Sequence, residues 1–135
     1  MSTPMEKQVS GRFEPETGVL HLWFPRTVKL TNAESVKIFF DEVISDWIDP
    51  TPGPFHLLVN YENLHVSAHM SADYAQNIRR FQHKLLGTYR YGLPGDFTGV
   101  AVSLGNMQLQ AHANLYDDEA SARAAIRAAA SRRVR

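Results

Sequence analysis

Three groups of side chains in this sequence have types and spacings that can do chemistry. The first is His65, His69 and Asp73, set four residues apart. On one continuous helix that spacing lines two imidazoles and a carboxylate along a single face, the arrangement of a metal site. Leu64 and Val66 belong to a strand or its exit, so the spacing does not fall on one helix, and His65 and His69 read as loop histidines without a metal. The second group is Ser67 and Ser71, the only hydroxyls between residues 64 and 71; Ser71 is placed to cap a helix with its side-chain oxygen. The third is the basic run Arg79-Arg80-x-x-His83-Lys84, a contact for phosphate or an acidic partner if it is not simply the solvated face of a helix. His21, His56, His83 and His112 are scattered over separate elements.

Much other chemistry is excluded. The chain has no cysteine, which removes disulfides, thiolate metal sites and a cysteine nucleophile. There is no Gly-x-Ser-x-Gly elbow and no glycine-rich phosphate loop; Gly87, Gly92, Gly95, Gly99 and Gly105 are spaced as terminators of strands and helices. An enzyme is disfavoured and no cofactor is implied. Fourteen Lys+Arg balance fourteen Asp+Glu, so no bulk field draws nucleic acid to the chain. No apolar run approaches the roughly 18–20 residues that span a bilayer, and the first residues lack the apolar middle of a secretory signal. The expectation is a cytoplasmic protein with no membrane insertion and no nucleic-acid partner. At 135 residues it makes one domain with a proper apolar core.

The elements that must position these groups follow from pattern. Val9–Phe13 and Val19–Phe24 are β-prone runs joined by the turn-forming Glu14-Pro15-Glu16-Thr17-Gly18, an opening hairpin that Pro25 ends. Thr31-Asn32-Ala33-Glu34 reads as a capping box. It opens a helix whose Val36, Phe39, Phe40, Val43, Ile44, Trp47 and Ile48 form a wide apolar stripe, stopped near Asp49 by Pro50, Pro52 and Pro54. Phe55–Tyr61, with little alternation, is a central strand. Ser71 then caps a second helix whose Tyr74, Ile78, Phe81, Leu85 and Tyr89 recur every three or four residues until Gly92, Pro94 and Gly95 break it. Phe97–Leu104 reads as a buried strand, Met107–His112 as one or two helical turns and Ala113–Tyr116 as a short strand. Asp117 caps a last, alanine-rich helix with arginines Arg123, Arg127, Arg132 and Arg133 further along it.

The order is β-β-α-β-α-β-(α)-β-α, which predicts an α/β fold with a mixed sheet of four to five strands and three to four helices. Residues 9–130 make the domain, between an unstructured stretch at 1–8 and a basic tail at 131–135. This order, the opening hairpin and the acidic step Tyr116-Asp117-Asp118-Glu119-Ala120 into the closing helix resemble the SpoIIAA-like branch of the STAS superfamily, from about Val9 onward. The resemblance implies a non-enzymatic regulatory or protein-interaction domain that meets a protein partner around the 62–71 loop and the second helix. In STAS-type anti-sigma-factor antagonists a serine at the start of the helix after the central strand is phosphorylated, and the added charge switches a protein contact. The matching stretch here, Leu64-His65-Val66-Ser67-Ala68-His69-Met70-Ser71, lacks the family's Asp-Ser pair, so no switch residue is carried over. Ser67, Ser71, His65, His69, Arg79 and Arg80 stand as interaction or switch candidates. Exposed strand edges and an aromatic-rich helix also suit a homodimer. The alternative is a domain of CRAL-TRIO-like organisation that binds a small hydrophobic, lipid-like ligand, with Phe39, Phe40, Trp47, Tyr74, Phe81 and Tyr89 lining its pocket. An enclosed apolar pocket of roughly a few hundred Å3 favours that alternative and a filled core disfavours it.

Overall fold

The structure is a computed structural model and describes residues 7–92 and 115–133. Its strands are β1 (Ser10–Glu14), β2 (Val19–Trp23), β3 (Val28–Leu30), β4 (Phe55–Asn60), β5 (Leu64–Val66), β6 (Leu85–Tyr91) and β7 (Leu115–Tyr116). Five of them form a mixed sheet in the order β1-β2-β4-β6-β7, while β3 and β5 pair in parallel as a small second sheet. Only β1 runs antiparallel to its neighbour; β2, β4, β6 and β7 are parallel. The helices among the described residues are α1 (Ala33–Val43), α2 (Ser71–Ile78) and α3 (Glu119–Arg133). The α/β class and the mixed sheet are those the sequence pattern predicts.

Alternation along the strands divides the interior. Leu20, Leu22, Leu57 and Val59 face α1 and α2 and pack with Val36, Phe39, Phe40, Val43, Tyr74 and Ile78. Val19, Leu58, Tyr89 and Tyr91 face the other way and meet Ala122 and Ile126 of α3. Five of the six residues of β4 are buried, because both its faces are covered.

Several boundaries differ from those the sequence suggests. The α1 box sits one residue later than Thr31–Glu34. The Asn32 side chain accepts the Ser35 N–H at 2.8 Å, and the Ser35 hydroxyl accepts the Asn32 N–H at 3.1 Å. Asparagine caps at least as well as threonine, so the later register loses nothing. At its far end the helix widens into one π turn, Ile44–Ile48, where the Asp49 N–H reaches the Ile44 carbonyl at 2.8 Å. Lys84 closes this end by donating to the carbonyls of Ile48 (2.7 Å) and Thr51 (3.0 Å); a cation suits orphan carbonyls there.

The larger correction concerns the second helix. It ends at Ile78, a short 3-10 turn covers Gln82–Lys84, and Leu85–Tyr91 is strand β6. Leu85 and Tyr89 lie four residues apart, the spacing of a helix stripe, but a register shift at Phe55/His56 turns them to opposite faces of a strand, Leu85 toward the α1/α2 core and Tyr89 toward α3. Gly87 disfavours a helix, Thr88, Tyr89 and Tyr91 favour a strand, and pairing of Leu58 with Tyr89 and Asn60 with Tyr91 in the β4 ladder fixes it. Ser71 is not the cap of α2. The cap position is Met70, with no side-chain bond, and Ser71 is the buried first helical residue. Asp118, not Asp117, caps α3, its carboxylate accepting the Ser121 N–H at 2.8 Å. α3 continues to Arg133, into the stretch read as a basic tail. The strand expected at 97–104 and the turns expected at 107–112 lie outside the described residues. Among the described residues no helix is long and apolar enough to cross a membrane.

The β1–β2 hairpin turns through Gly18 at φ +68°, with the N–H groups of Thr17 and Gly18 bonded to the Glu14 carbonyl at 3.2 and 2.9 Å. A Cβ on Gly18 would meet nothing within 4 Å, so Gly18→Ala isolates the backbone term. Urea denaturation of that variant should show a loss of about 1 kcal/mol; unchanged stability would mean that the turn does not hold this conformation.

Candidate functional site

A polar cleft of about 520 Å3 opens on the α3 side of the sheet. Trp23, Asn60 and Tyr91, which line it, are the last residues of β2, β4 and β6. The cleft therefore lies at the carboxyl ends of three adjacent parallel strands, where open α/β sheets hold their ligands. Alternation brings in the rest of its wall: Arg12 and Glu14 on β1 and His21 on β2 point away from the α1/α2 core, and Arg12 is the cross-strand partner of His21. Glu119 and Arg123, one turn apart on α3, complete it.

Arg123 organises these groups. Its Nη1 and Nη2 donate to the two carboxylate oxygens of Glu14 at 2.8 Å each, and its Nε donates to Glu119 Oε2 at 2.7 Å. Nη2 also lies 3.4 Å from His21 Nδ1. His21 Nε2 is 2.8 Å from the Tyr91 hydroxyl, which donates to Glu119 Oε1 at 3.3 Å. A guanidinium only donates, so His21 Nδ1 must be the acceptor. The imidazole proton is then on Nε2, pointing at Tyr91, whose own proton goes on to Glu119. The bonds close a ring in which Arg123 donates both to His21 and to Glu119, His21 passes donation on to Tyr91 and Tyr91 to Glu119, so that both paths start at the guanidinium and end on the Glu119 carboxylate.

The same geometry sets the charges. Burial holds His21 below its usual 6.5, with Arg123 and Arg12 pushing the same way against the pull of Glu119 and Glu14. Hydrogen bonds from Arg123 lower both Glu14 and Glu119 from their usual 4.5. Burial, and then the Glu119 carboxylate, push Tyr91 up to about 12. Its bonds to Glu14 and then Glu119 keep Arg123 firmly protonated. Near neutral pH the wall thus holds two carboxylates, two guanidiniums and two uncharged rings. The free lone pair of His21 faces a cation, and the Tyr91 proton is held far above neutral pH.

The residues singled out from sequence are dispersed. His65 is in β5, paired in register with Lys29 of β3. His69 is exposed and donates from Nε2 to the Thr31 carbonyl at 2.9 Å. No group of three or more metal-ligating side chains comes together among the described residues. Ser67 is half-buried, and its N–H bonds the Leu30 carbonyl at 3.0 Å. Ser71 is buried, its hydroxyl turned away from solvent. Arg80 ties α2 to α1 through Asp41 at 2.9 Å, and Arg79 lies exposed beside it. Phe39, Phe40, Tyr74 and Phe81 enclose a void of only about 20 Å3 within the α1/α2 core. Trp47 is half-buried at the π turn, and Tyr89 is on the opposite face of the sheet, against α3.

Glu14, His21, Tyr91, Glu119 and Arg123 were not apparent as a set. The one available signal is local: polar residues at alternate positions of β1 and β2 imply a polar sheet face. Compared with protein-family models and with curated proteins, the chain matches none.

Removing Arg123 would leave the Glu14 carboxylate, whose side chain is only 14% exposed, without its partner. Arg123→Met should therefore cost roughly 1–3 kcal/mol in urea denaturation; an unchanged midpoint would show the clamp to be dispensable. The pH dependence has two windows. A histidine with a lowered pKa favours the folded state fully above 6.5, and that contribution is lost as pH falls below 6.5. The lowered carboxylates contribute above 4.5 and lose their part as pH falls through their depressed values. Urea midpoints measured from pH 8 to 3, a range of about five units chosen to bracket both windows, should decline in two stages. His21→Gln should abolish the first and keep the second.

Proposed function

We propose that the chain is a non-enzymatic regulatory domain of STAS-like organisation that works by recognising a polar ligand group in the cleft at the carboxyl ends of β2, β4 and β6. The observation that carries this reading is the oriented ring of Arg123, His21, Tyr91 and Glu119 beside Trp23 and Asn60. Such a wall is fixed before any ligand arrives, so little ordering is left to oppose binding. The opening hairpin, the parallel strands and the helical cover are compatible with the SpoIIAA-like branch as its finer topology.

Two other sites for that recognition have less support. A lipid-like ligand needs roughly 300 Å3 or more of enclosed apolar space, and the void among Phe39, Phe40, Tyr74 and Phe81 is about 20 Å3. A phosphorylation switch at Ser71 needs a hydroxyl within reach of a kinase, and that side chain is buried. Partner contact around 62–71 would use the exposed rim of the β3–β5 sheet, where His69 is already engaged with Thr31.

Thermal unfolding in the presence of separate panels of small water-soluble anions, cations and zwitterions and of fatty acids tests the reading. A member of the polar panels should raise the melting temperature by roughly 4 °C at about tenfold excess over its Kd. Trp23→Ala should remove the shift. Stabilisation by fatty acids alone, or a shift that survives Trp23→Ala, would overturn the cleft as the recognition site.

A further inference from the structure

The balance of donors and acceptors in the cleft says what kind of group it can take. All four carboxylate oxygens already accept a bond: Glu14 Oε1 and Oε2 from Arg123, Glu119 Oε2 from Arg123 and Glu119 Oε1 from Tyr91. Both nitrogens of His21 are engaged, one as acceptor and one as donor. Arg123 is committed to two carboxylates. Arg12 is different. It is exposed on β1, and among the described residues it has no hydrogen bond or ion pair. Its five N–H groups stand at the wall of the cleft beside His21, its cross-strand partner. Each carboxylate oxygen keeps a further lone pair, but both carboxylates are paired with Arg123 and the charged side chain of the wall left without a partner is a guanidinium, so the group that completes it is an acceptor carrying negative charge.

The adjoining wall narrows the class. Trp23 lines the cleft and meets His21 edge to face, with ring centroids 5.1 Å apart. A planar guanidinium matches a carboxylate with two parallel bonds, and an indole offers a flat apolar surface. We propose that the cleft binds a small planar carboxylate, an aromatic or conjugated acid, with its carboxylate on Arg12 and its plane against Trp23. This inference rests on the cleft being the recognition site. A cation is disfavoured because both carboxylates of the wall are already paired with Arg123 while Arg12 would repel it, and a tetrahedral anion would leave the indole surface unused.

Trp23 and Trp47 are the two tryptophans, so Trp47→Phe leaves Trp23 as the sole reporter of the cleft. The probes are benzoate, acetate, inorganic phosphate and benzamidine. Benzoate should change the fluorescence saturably, acetate and phosphate should bind at least about tenfold more weakly, and benzamidine should not bind. Arg12→Gln should weaken benzoate by about tenfold or more, as loss of a bidentate pair implies, without moving the melting temperature, since the side chain holds nothing else. Saturation-transfer NMR of the unsubstituted chain with the same probes repeats the comparison should Trp47→Phe fail to fold. No benzoate binding to folded protein, or benzoate binding unaffected by Arg12→Gln, overturns the proposal. Binding of benzamidine in preference to benzoate, lost in Trp23→Ala, overturns the ligand class while leaving the cleft as the recognition site. Absence of any polar ligand in the wider panels removes both.

Discussion

Arg123 carries one positive charge between two carboxylates, one from its own helix and one from the hairpin that opens the domain. That contact matters out of proportion to its size because the rest of α3 holds the sheet weakly. Among the described side chains of the helix only Ala122 and Ile126 are buried, with Ala125 and Ala129 partly so. Alanine offers little apolar area, and stabilisation scales with area. The helix is therefore steered by a polar clamp at its first turns and only backed by packing further on. The bidentate geometry matters as much as the charge: a lysine could neutralise Glu14 but could not fix the plane that aims Nη2 at His21.

Burial keeps His21 neutral among four charged groups, and the guanidinium of the clamp pushes the same way. A second proton on Nδ1 would face the guanidinium, so the neutral ring is the only form that completes the ring of bonds. Tyr91 is held in the complementary way. It donates to Glu119 and accepts from His21. Gly92 follows Tyr91 at φ +71°, and a Cβ there would lie 2.7 Å from Asn60 Oδ1. The strand end and the cleft wall are thus built together.

The parts of this fold that are legible in sequence are those with one dominant period. The apolar stripe of α1 and the unbroken run of β4 name their own burial, and the hairpin is marked by Glu14–Gly18. Leu85 and Tyr89 mislead because their four-residue spacing is that of a helix stripe, whereas the ladder with β4, with its register shift at Phe55/His56, makes the segment a strand and turns the two side chains to opposite faces. The candidate site is less legible for a different reason. His65, His69, Ser67 and Ser71 attract attention by lying close in sequence, yet the first three are spent in pairing with the 29–31 segment and Ser71 is buried at the start of α2. Glu14 and Arg123 are 109 positions apart, and no local pattern relates them. What the sequence does carry is the alternation of Arg12 and Glu14 with Gly11 and Phe13, and of His21 and Trp23 with Leu20 and Leu22. Each polar position could equally be a plain solvent face.

The two faces of the sheet divide the work between them. On the α1/α2 face, aromatic rings fill the space, with Phe40 5.0 Å from Tyr74 and 5.2 Å from Phe39 between centroids; tight packing of this kind supplies stability and has no room for a ligand. On the α3 face the helix covers β4, β6 and β7, and beside it the outer strands β1 and β2 present polar side chains. A site on that second face can hold unspent donors because the stability of the domain does not depend on satisfying them. Arg12 can therefore remain uncommitted at a modest cost in water, whereas an uncommitted charge in the α1/α2 core would be far more destabilising. The asymmetry that makes α3 weakly packed is the same one that leaves room for recognition beside it.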